Sequence, residues 1–547
     1  MARVDTSVLG RLEATFGDKL FARGYLIAAA RPAFVPSAWS NVDLGRGFSL
    51  WHDPRTPHTS TILAGTEVHA IGDLYSVDRP GRAAEAVTRS LTKALRRSDL
   101  AFYKALDRLH GRFILVYARE GAPWRVTTDA TGMRSIYYDA DARALSSHPT
   151  LAAVAGARER REPPFYGYGR PGRTSGFEGV MLATPNQELS LDGFSLHRYW
   201  PREPIATVAT PRSARNASKA MDRSLRGILH RHPRIVASLT AGTDSRTTLA
   251  VTLAAKATEA IEFFTYSHAV PAASEEIDRV VSRQLADHYQ LRHREILLAP
   301  GIAPGSEDLA TLFEANTPHK HNPMLTEHYV ELYGGAPTVH LRSNLSEIAR
   351  SFYLRKRAEH EAPTTAEELA HIYMHTRPNS TAPPLEGRDV ITDDFREQFE
   401  ATDFASGAAI VDARDLLYWE HRMGAWHSAI LLESDAAFDT LSLYNSRAVL
   451  VALLSAAPQD RLIDAHMHEL MYNADPELLE FPFNRLTKRK SYVSPAIARR
   501  TKPVKKPKPL KFRVRRALYR ADAAMPWLRR ARAKTLSHLR PSTKVKP

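Results

Sequence analysis

The apolar segment Arg234-Ile235-Val236-Ala237-Ser238-Leu239 runs directly into a small polar hexapeptide, Thr240-Ala241-Gly242-Thr243-Asp244-Ser245, and a helical pattern opens at Ser245. A strand, a tight turn and a helix start in immediate succession commit this part of the chain to an α/β unit. The same arrangement makes an anion site. Free N–H groups and the positive end of the helix face outward from the turn. Ala241 and Gly242 allow close approach of the backbone, and Thr240 and Ser245 add hydroxyls. Asp244 repels a phosphate, so beside one its natural role is to hold a bridging Mg2+. The plainer reading is a turn in which Asp244 or Ser245 caps the helix.

Alternating segments surround this unit. Residues 213–229, 245–256 and 275–289 read as helices, and 234–239, 260–266 and 336–341 as strands. That order predicts a parallel sheet covered by helices. Residues 355–490 read as mainly helical, with the longest helix at 412–433. Upstream, residues 112–117, 124–128 and 135–138 are short strands separated by turn residues, which predicts an antiparallel sheet. Residues 83–106 have a helical period. Prolines 201, 204 and 211 mark an extended connector. Three regions are therefore expected: 1–205, 206–490 and a tail at 491–547.

Composition narrows the chemistry. There is no cysteine among the 547 residues, so disulfides, thiolate metal sites and thiol nucleophiles are excluded. No apolar run is long enough to predict a membrane span, and residues 1–5 do not open a secretory signal. A cytoplasmic protein is expected. The net charge of +15 is concentrated in residues 499–547, which hold 18 Lys/Arg against one acid, Asp522. Such a tail suits an anionic surface or nucleic acid, or is simply solvated.

The hexapeptide resembles the Ser-Gly-Gly-x-Asp-Ser pyrophosphatase loop of the asparagine synthetase family. Further segments follow in the family's order. Glu262-Phe263-Phe264-Thr265-Tyr266 resembles the strand whose end contacts adenine. Ser274-Glu275-Glu276 leads the next helix. Ser343-Asn344-Leu345-Ser346-Glu347-Ile348 stands where the family has Gly-Glu-Gly-x-Asp-Glu. Arg422-Met423-Gly424-Ala425-Trp426, Ser442-Leu443-Tyr444-Asn445 and Pro476-Glu477-Leu478 track its helical part. Leu109-His110-Gly111-Arg112-Phe113, Thr128-Asp129-Ala130-Thr131-Gly132 with Ser135-Ile136-Tyr137-Tyr138, and Arg198-Tyr199-Trp200 resemble its amidotransferase domain. The resemblance implies an N-terminal Ntn-hydrolase-like αββα sandwich and a C-terminal ATP pyrophosphatase domain. It implies ATP held by Leu239, Thr240, Ala241, Gly242, Thr243, Asp244, Ser245, Phe264 and Thr265. It further implies Mg2+ at Asp244 and position 346, and catalytic roles for Arg342 and Glu347.

The chain departs from that pattern in telling places. The family's glutamine-attacking cysteine is missing, as in the β-lactam synthetase branch, so no glutaminase is expected. Ser346 replaces the second magnesium carboxylate, and Ser343 replaces an acid. Asp464 falls where counting from Pro476 places the family's lysine, leaving Arg342, Arg350 or Arg461 to supply a cation. The expected activity is ATP-dependent amide formation. Aspartate or another carboxylate is adenylated, and ammonia or an amine then displaces AMP. The alternative is a catalytically degenerate protein that binds a nucleotide or a partner, and a third reading is an RNA-modifying enzyme whose tail holds RNA. Among smaller signals, His319-Lys320-His321-Asn322 reads as a loop. His466 and His468 cannot share a helix face. Trp419 and Trp426 read as core, and Arg422 as reaching toward the pocket.

Overall fold

In the computed structural model, strand Leu109–Ala118 is buried along its whole length, which accounts for its unbroken apolar run. It lies inside an antiparallel sheet of six strands, ordered Leu196–Arg198, Gln187–Ser190, Arg125–Thr128, Leu109–Ala118, Thr66–Ser76 and His58–Leu63. A second six-stranded antiparallel sheet runs Val180–Leu182, Tyr137–Asp139, Ala144–Ser146, Tyr25–Ala28, Phe48–His52 and Ser40–Gly45. Tyr25, Ile27 and Leu50 of one sheet meet Ile71, Ile114 and Val116 of the other in a shared core. Helix Ala84–Arg97 covers the outer side of the first sheet, and helix Pro149–Gly156 packs on the second. The single helix expected over 83–106 is two, Ala84–Arg97 and Asp99–Leu106. Ser98 is extended between them, and its hydroxyl accepts the Ala101 N–H, so a capping serine ends one helix and starts the next.

After the connector, helix Thr210–Arg231 leads into a five-stranded parallel sheet. Its order is His293–Leu298, Ile261–His268, Ile235–Ser238, Val339–Leu341 and Asp439–Leu441. The chain first builds outward to one side of Ile235–Ser238 and then crosses to the other. The order therefore reverses between Ile235–Ser238 and Val339–Leu341, the place where open parallel sheets bind ligands.

The long helix expected near 412–433 is present as Ala413–Leu417, Tyr418–His427 and Ser428–Ser434, and its middle is π-helical. Consecutive side chains there are held by the N-terminal layers. The Trp419 indole donates to the Ala130 carbonyl at 2.6 Å, Glu420 pairs with Arg198 at 2.6 Å, and His421 meets the Arg170 carbonyl at 2.9 Å. Widening the helix lets neighbouring positions reach partners that a 3.6-residue period would separate.

Residues 3–299, 306–317, 322–356, 363–376, 385–484 and 497 are described here. Met1–Ser494 form one compact unit. The tail expected to meet anionic surfaces and the His319-Lys320-His321 cluster lie outside the described residues. Among the described residues, no helix is long and apolar enough to cross a membrane.

Candidate functional site

The loop after Ile235–Ser238 and the loop after Val339–Leu341 face each other at the reversal point. Thr240, Gly242, Arg342, Ser343, Asn344, Glu347 and Arg350 are half-buried and form its rim, while Asp244, Ser245 and Ser346 are buried beneath. Helix Thr243–Ala254 starts here, and no side chain caps it. Asp244 is not a cap: its carboxylate points across to the second loop.

Several loop amides are already engaged. The Thr240 N–H donates to the Ser245 hydroxyl at 3.0 Å, and the Gly242 N–H to the Thr240 hydroxyl at 3.1 Å. The Ala241 N–H donates to the Asp278 carboxylate at 2.8 Å. Asp278 lies on helix Ala273–Tyr289, and burial raises its pKa despite the Ala241 bond. Its charge sits where an incoming anion would approach. We predict that Asp278→Asn, which keeps an acceptor and removes the charge, tightens pyrophosphate binding at the loop by on the order of 1 kcal/mol, about fivefold. Calorimetric titration checks this, and unchanged or weaker binding would contradict it.

Asp244 is the centre of the site. Its Oδ1 accepts the Ser346 hydroxyl at 2.5 Å and the Arg350 guanidinium at 2.8 Å. Glu347 lies 3.8 Å from the same guanidinium. Burial, then the neighbouring Glu347 charge, push the Asp244 carboxyl well above the usual range, against Arg350 and the Ser346 bond. Arg350 also forks onto Asp464, with 2.8 Å contacts to both carboxylate oxygens, and Arg355 joins from the other side. Burial alone would raise the Asp464 pKa, but the two guanidiniums hold it well below the carboxylate range. Position 464 thus supplies no cation itself; it gathers two. Arg461 is spent elsewhere, on the buried Asp415 at 2.6 Å.

These donors do not fit a magnesium ion held by protein carboxylates. Mg2+ requires oxygen ligands in near-octahedral array. Here Asp244 is shared between a hydroxyl donor and a guanidinium, and Ser346 points its proton at Asp244. Among the described residues, no group of three His, Asp or Glu side chains could hold a metal. His466 and His468 are buried with pKa values lowered by burial to about 3 and about 4.

Arg342 differs from the other rim cations. It leaves the sheet at the end of Val339–Leu341, its N–H bonded to the Leu441 carbonyl at 2.8 Å. Its charge is felt by Tyr266 and Tyr329. Among the described residues its guanidinium has no hydrogen bond or ion pair. Thr265 bonds to the Leu239 carbonyl at 2.7 Å and to His293 at 2.9 Å, joining the loop to the neighbouring strand. The Phe264 ring is instead in the core, against Tyr329, Tyr333 and His340. Arg422 lies over the Tyr168 ring at 3.3 Å and the Phe352 ring at 4.6 Å, a buried cation among aromatics.

Arg246, not singled out from the sequence, is fully buried under the loop. It donates to the Phe481 and Pro482 carbonyls at 2.9 Å and lies 3.7 Å over the Phe483 ring. Burial lowers its pKa to about 9. It anchors the chain after Pro476 against the hexapeptide. Its place in the first turn of the predicted helix was visible; its direction, inward, was not. No protein-family model matches the chain, and a comparison with characterised proteins also finds no match.

Proposed function

We propose that the chain is an ATP-dependent, AMP-forming carbon–nitrogen ligase of the asparagine synthetase type. In this reading the helix-flanked antiparallel sheets are a degenerate Ntn-type amidotransferase domain, and the parallel sheet is a pyrophosphatase-loop domain. The observation that carries the reading is the helix start without a side-chain cap at the sheet's reversal point, with Arg342 at the end of the adjacent strand and, among the described residues, without a hydrogen bond or ion pair. A triphosphate against that helix end meets the amides of its first turn. A substrate carboxylate oxygen attacks the α-phosphorus, and the bond to the β-phosphate breaks. Arg342 faces the charge that develops on the departing pyrophosphate. Ammonia or an amine then attacks the acyl carbon, and AMP leaves with the bonding electrons. Lacking cysteine, the chain takes its nitrogen from a source other than its own glutaminase.

ATP–pyrophosphate exchange over a panel of carboxylates tests the proposal. At least one acid is expected to support exchange, and Arg342→Ala to slow it by about 100-fold or more. Absence of exchange and of AMP with every acid would refute it. A second reading, nucleotide or partner binding without turnover, is favoured by two contacts: Arg350 on Asp244, and Asp278 on the Ala241 amide. ATP binding with no exchange would select it.

A further inference from the structure

Away from the reversal point, the connector after Trp200 borders a cleft of about 790 Å3. Its walls are the connector, helix Thr210–Arg231, helix Arg447–Leu454 and the turn at Asp107 and Arg108. The volume is in the range of small-molecule sites. Its lining is lopsided in charge. Arg108, Arg202, Arg212, Lys219, Arg223 and Arg447 face two acids, Asp107 and Glu203.

Internal pairing leaves part of this charge uncompensated. Arg108 and Arg223 share Asp78, at 2.6 and 3.4 Å, and Arg202 pairs with Asp107. Arg447 is buried; it hydrogen-bonds the Tyr199 hydroxyl at 2.6 Å and the Asn186 side-chain oxygen at 3.0 Å, and shares with Arg202 the charge of Asp107. Arg212 and Lys219 are exposed, and among the described residues they have no partner.

The helix makes the excess costlier. Arg212 sits in its first turn, where the helix dipole disfavours a cation; that turn contains no acid of its own, and the Asp460 carboxylate beside it accepts the Thr210 hydroxyl. Lys219 and Arg223 are four apart on one helix face, a like-charge spacing that destabilises. A bound anion relieves all three at once. Ile205, Val208 and Val451 add apolar surface to the lining.

We propose that this cleft is a second ligand site, for a small organic phosphate. The phosphate lies against Arg212, Lys219 and Arg447, and the carbon skeleton against the apolar surface. Guanidinium groups match phosphate geometry, and the apolar surface distinguishes an organic phosphate from the free ion. The site is separate from the hexapeptide and does not depend on the ligase reading.

Calorimetric titration of the full chain with phenyl phosphate, inorganic phosphate and citrate tests this. Phenyl phosphate is expected to bind more tightly than inorganic phosphate or citrate. The double variant Arg212→Glu/Lys219→Glu, at two exposed positions, is expected to weaken it tenfold or more with an unchanged circular dichroism spectrum. Lys219→Arg should keep it, as should Arg342→Ala. No binding of phenyl phosphate, equal binding by the double variant, or a preference for citrate would overturn the proposal. Loss of binding in Arg342→Ala would also overturn it, because the anion would then sit at the reversal point.

Discussion

Arg112→Ala is expected to lower the free energy of unfolding by about 3–5 kcal/mol, as breaking one partner out of a buried ion pair does. The Arg112 side chain is 1 % exposed and forks onto Asp435 with contacts of 2.5 and 2.7 Å. It also reaches Asp439 at 3.0 Å and the Met133 carbonyl at 3.0 Å. These bonds tie the long antiparallel strand to the edge of the parallel sheet. Without the guanidinium, Asp435 keeps a burial-raised pKa with little to oppose it. Asp439, which burial would raise but Arg112 and Arg134 hold low, loses the first of those supports. Urea titration of wild type and variant measures the difference. Arg112→Met should fare little better, since it restores volume but no charge. Adding Asp435→Leu to it should recover part of the loss, since a well-packed apolar pair replaces a buried ion pair at little cost. A loss under about 1 kcal/mol, the value of a solvated pair, would show that water reaches these carboxylates.

The contrast between what the sequence predicts well and what it misses follows the range of the forces involved. Strands 112–117 and 234–239 and the helix after the hexapeptide rest on local pattern, and all three occur, with ends shifted by a few residues. The edge strand Asp439–Leu441 was not expected. It is short and begins with an aspartate, and Arg112, far away in the chain, is what makes that position buriable. Strand His293–Leu298 was also missed; as an edge strand it alternates only weakly between buried and exposed positions. The π-helical turn depends on partners supplied by Arg170, Arg198 and Ala130, which no helical period encodes.

The site divides the same way. The approach of Ser346 to Asp244 follows from placing the two loops on adjacent strands. Which arginine joins them does not. Arg342, Arg350 and Arg461 were equal candidates by residue type, and the choice is made by Asp464, which lies 114 residues beyond Arg350. Asp278 lay on a predicted helix, but nothing in its own segment signals that it will meet the Ala241 amide.

Arg350→Ala is expected to cost about 3 kcal/mol at neutral pH, the lower end for a buried pair because Arg355 remains on Asp464. The cost should depend on pH in a defined direction. In the wild type the arginines hold the Asp464 pKa below its unfolded value near 3.9. That contribution is present above this value and is lost as pH falls through the folded pKa. Removing Arg350 gives up much of it. Asp244, already pushed up by burial and Glu347, rises further and is easier to bury protonated. Both effects make the deficit of the variant largest near neutrality and smaller below about pH 5. Urea midpoints from pH 3 to 8 read this out, and a deficit independent of pH would mean that Arg350 acts by packing alone. The same substitution separates a built-in cation from a metal. With Arg350 present, magnesium alone should not raise the melting temperature, because the Asp244 carboxylate is already neutralised. In Arg350→Ala the ion should displace the proton that the buried Asp244 then holds, pairing with Asp244 and Glu347, and give a rise that grows with its concentration and with pH. Equal stabilisation of both proteins by magnesium would show that Arg350 yields to the metal rather than replacing it.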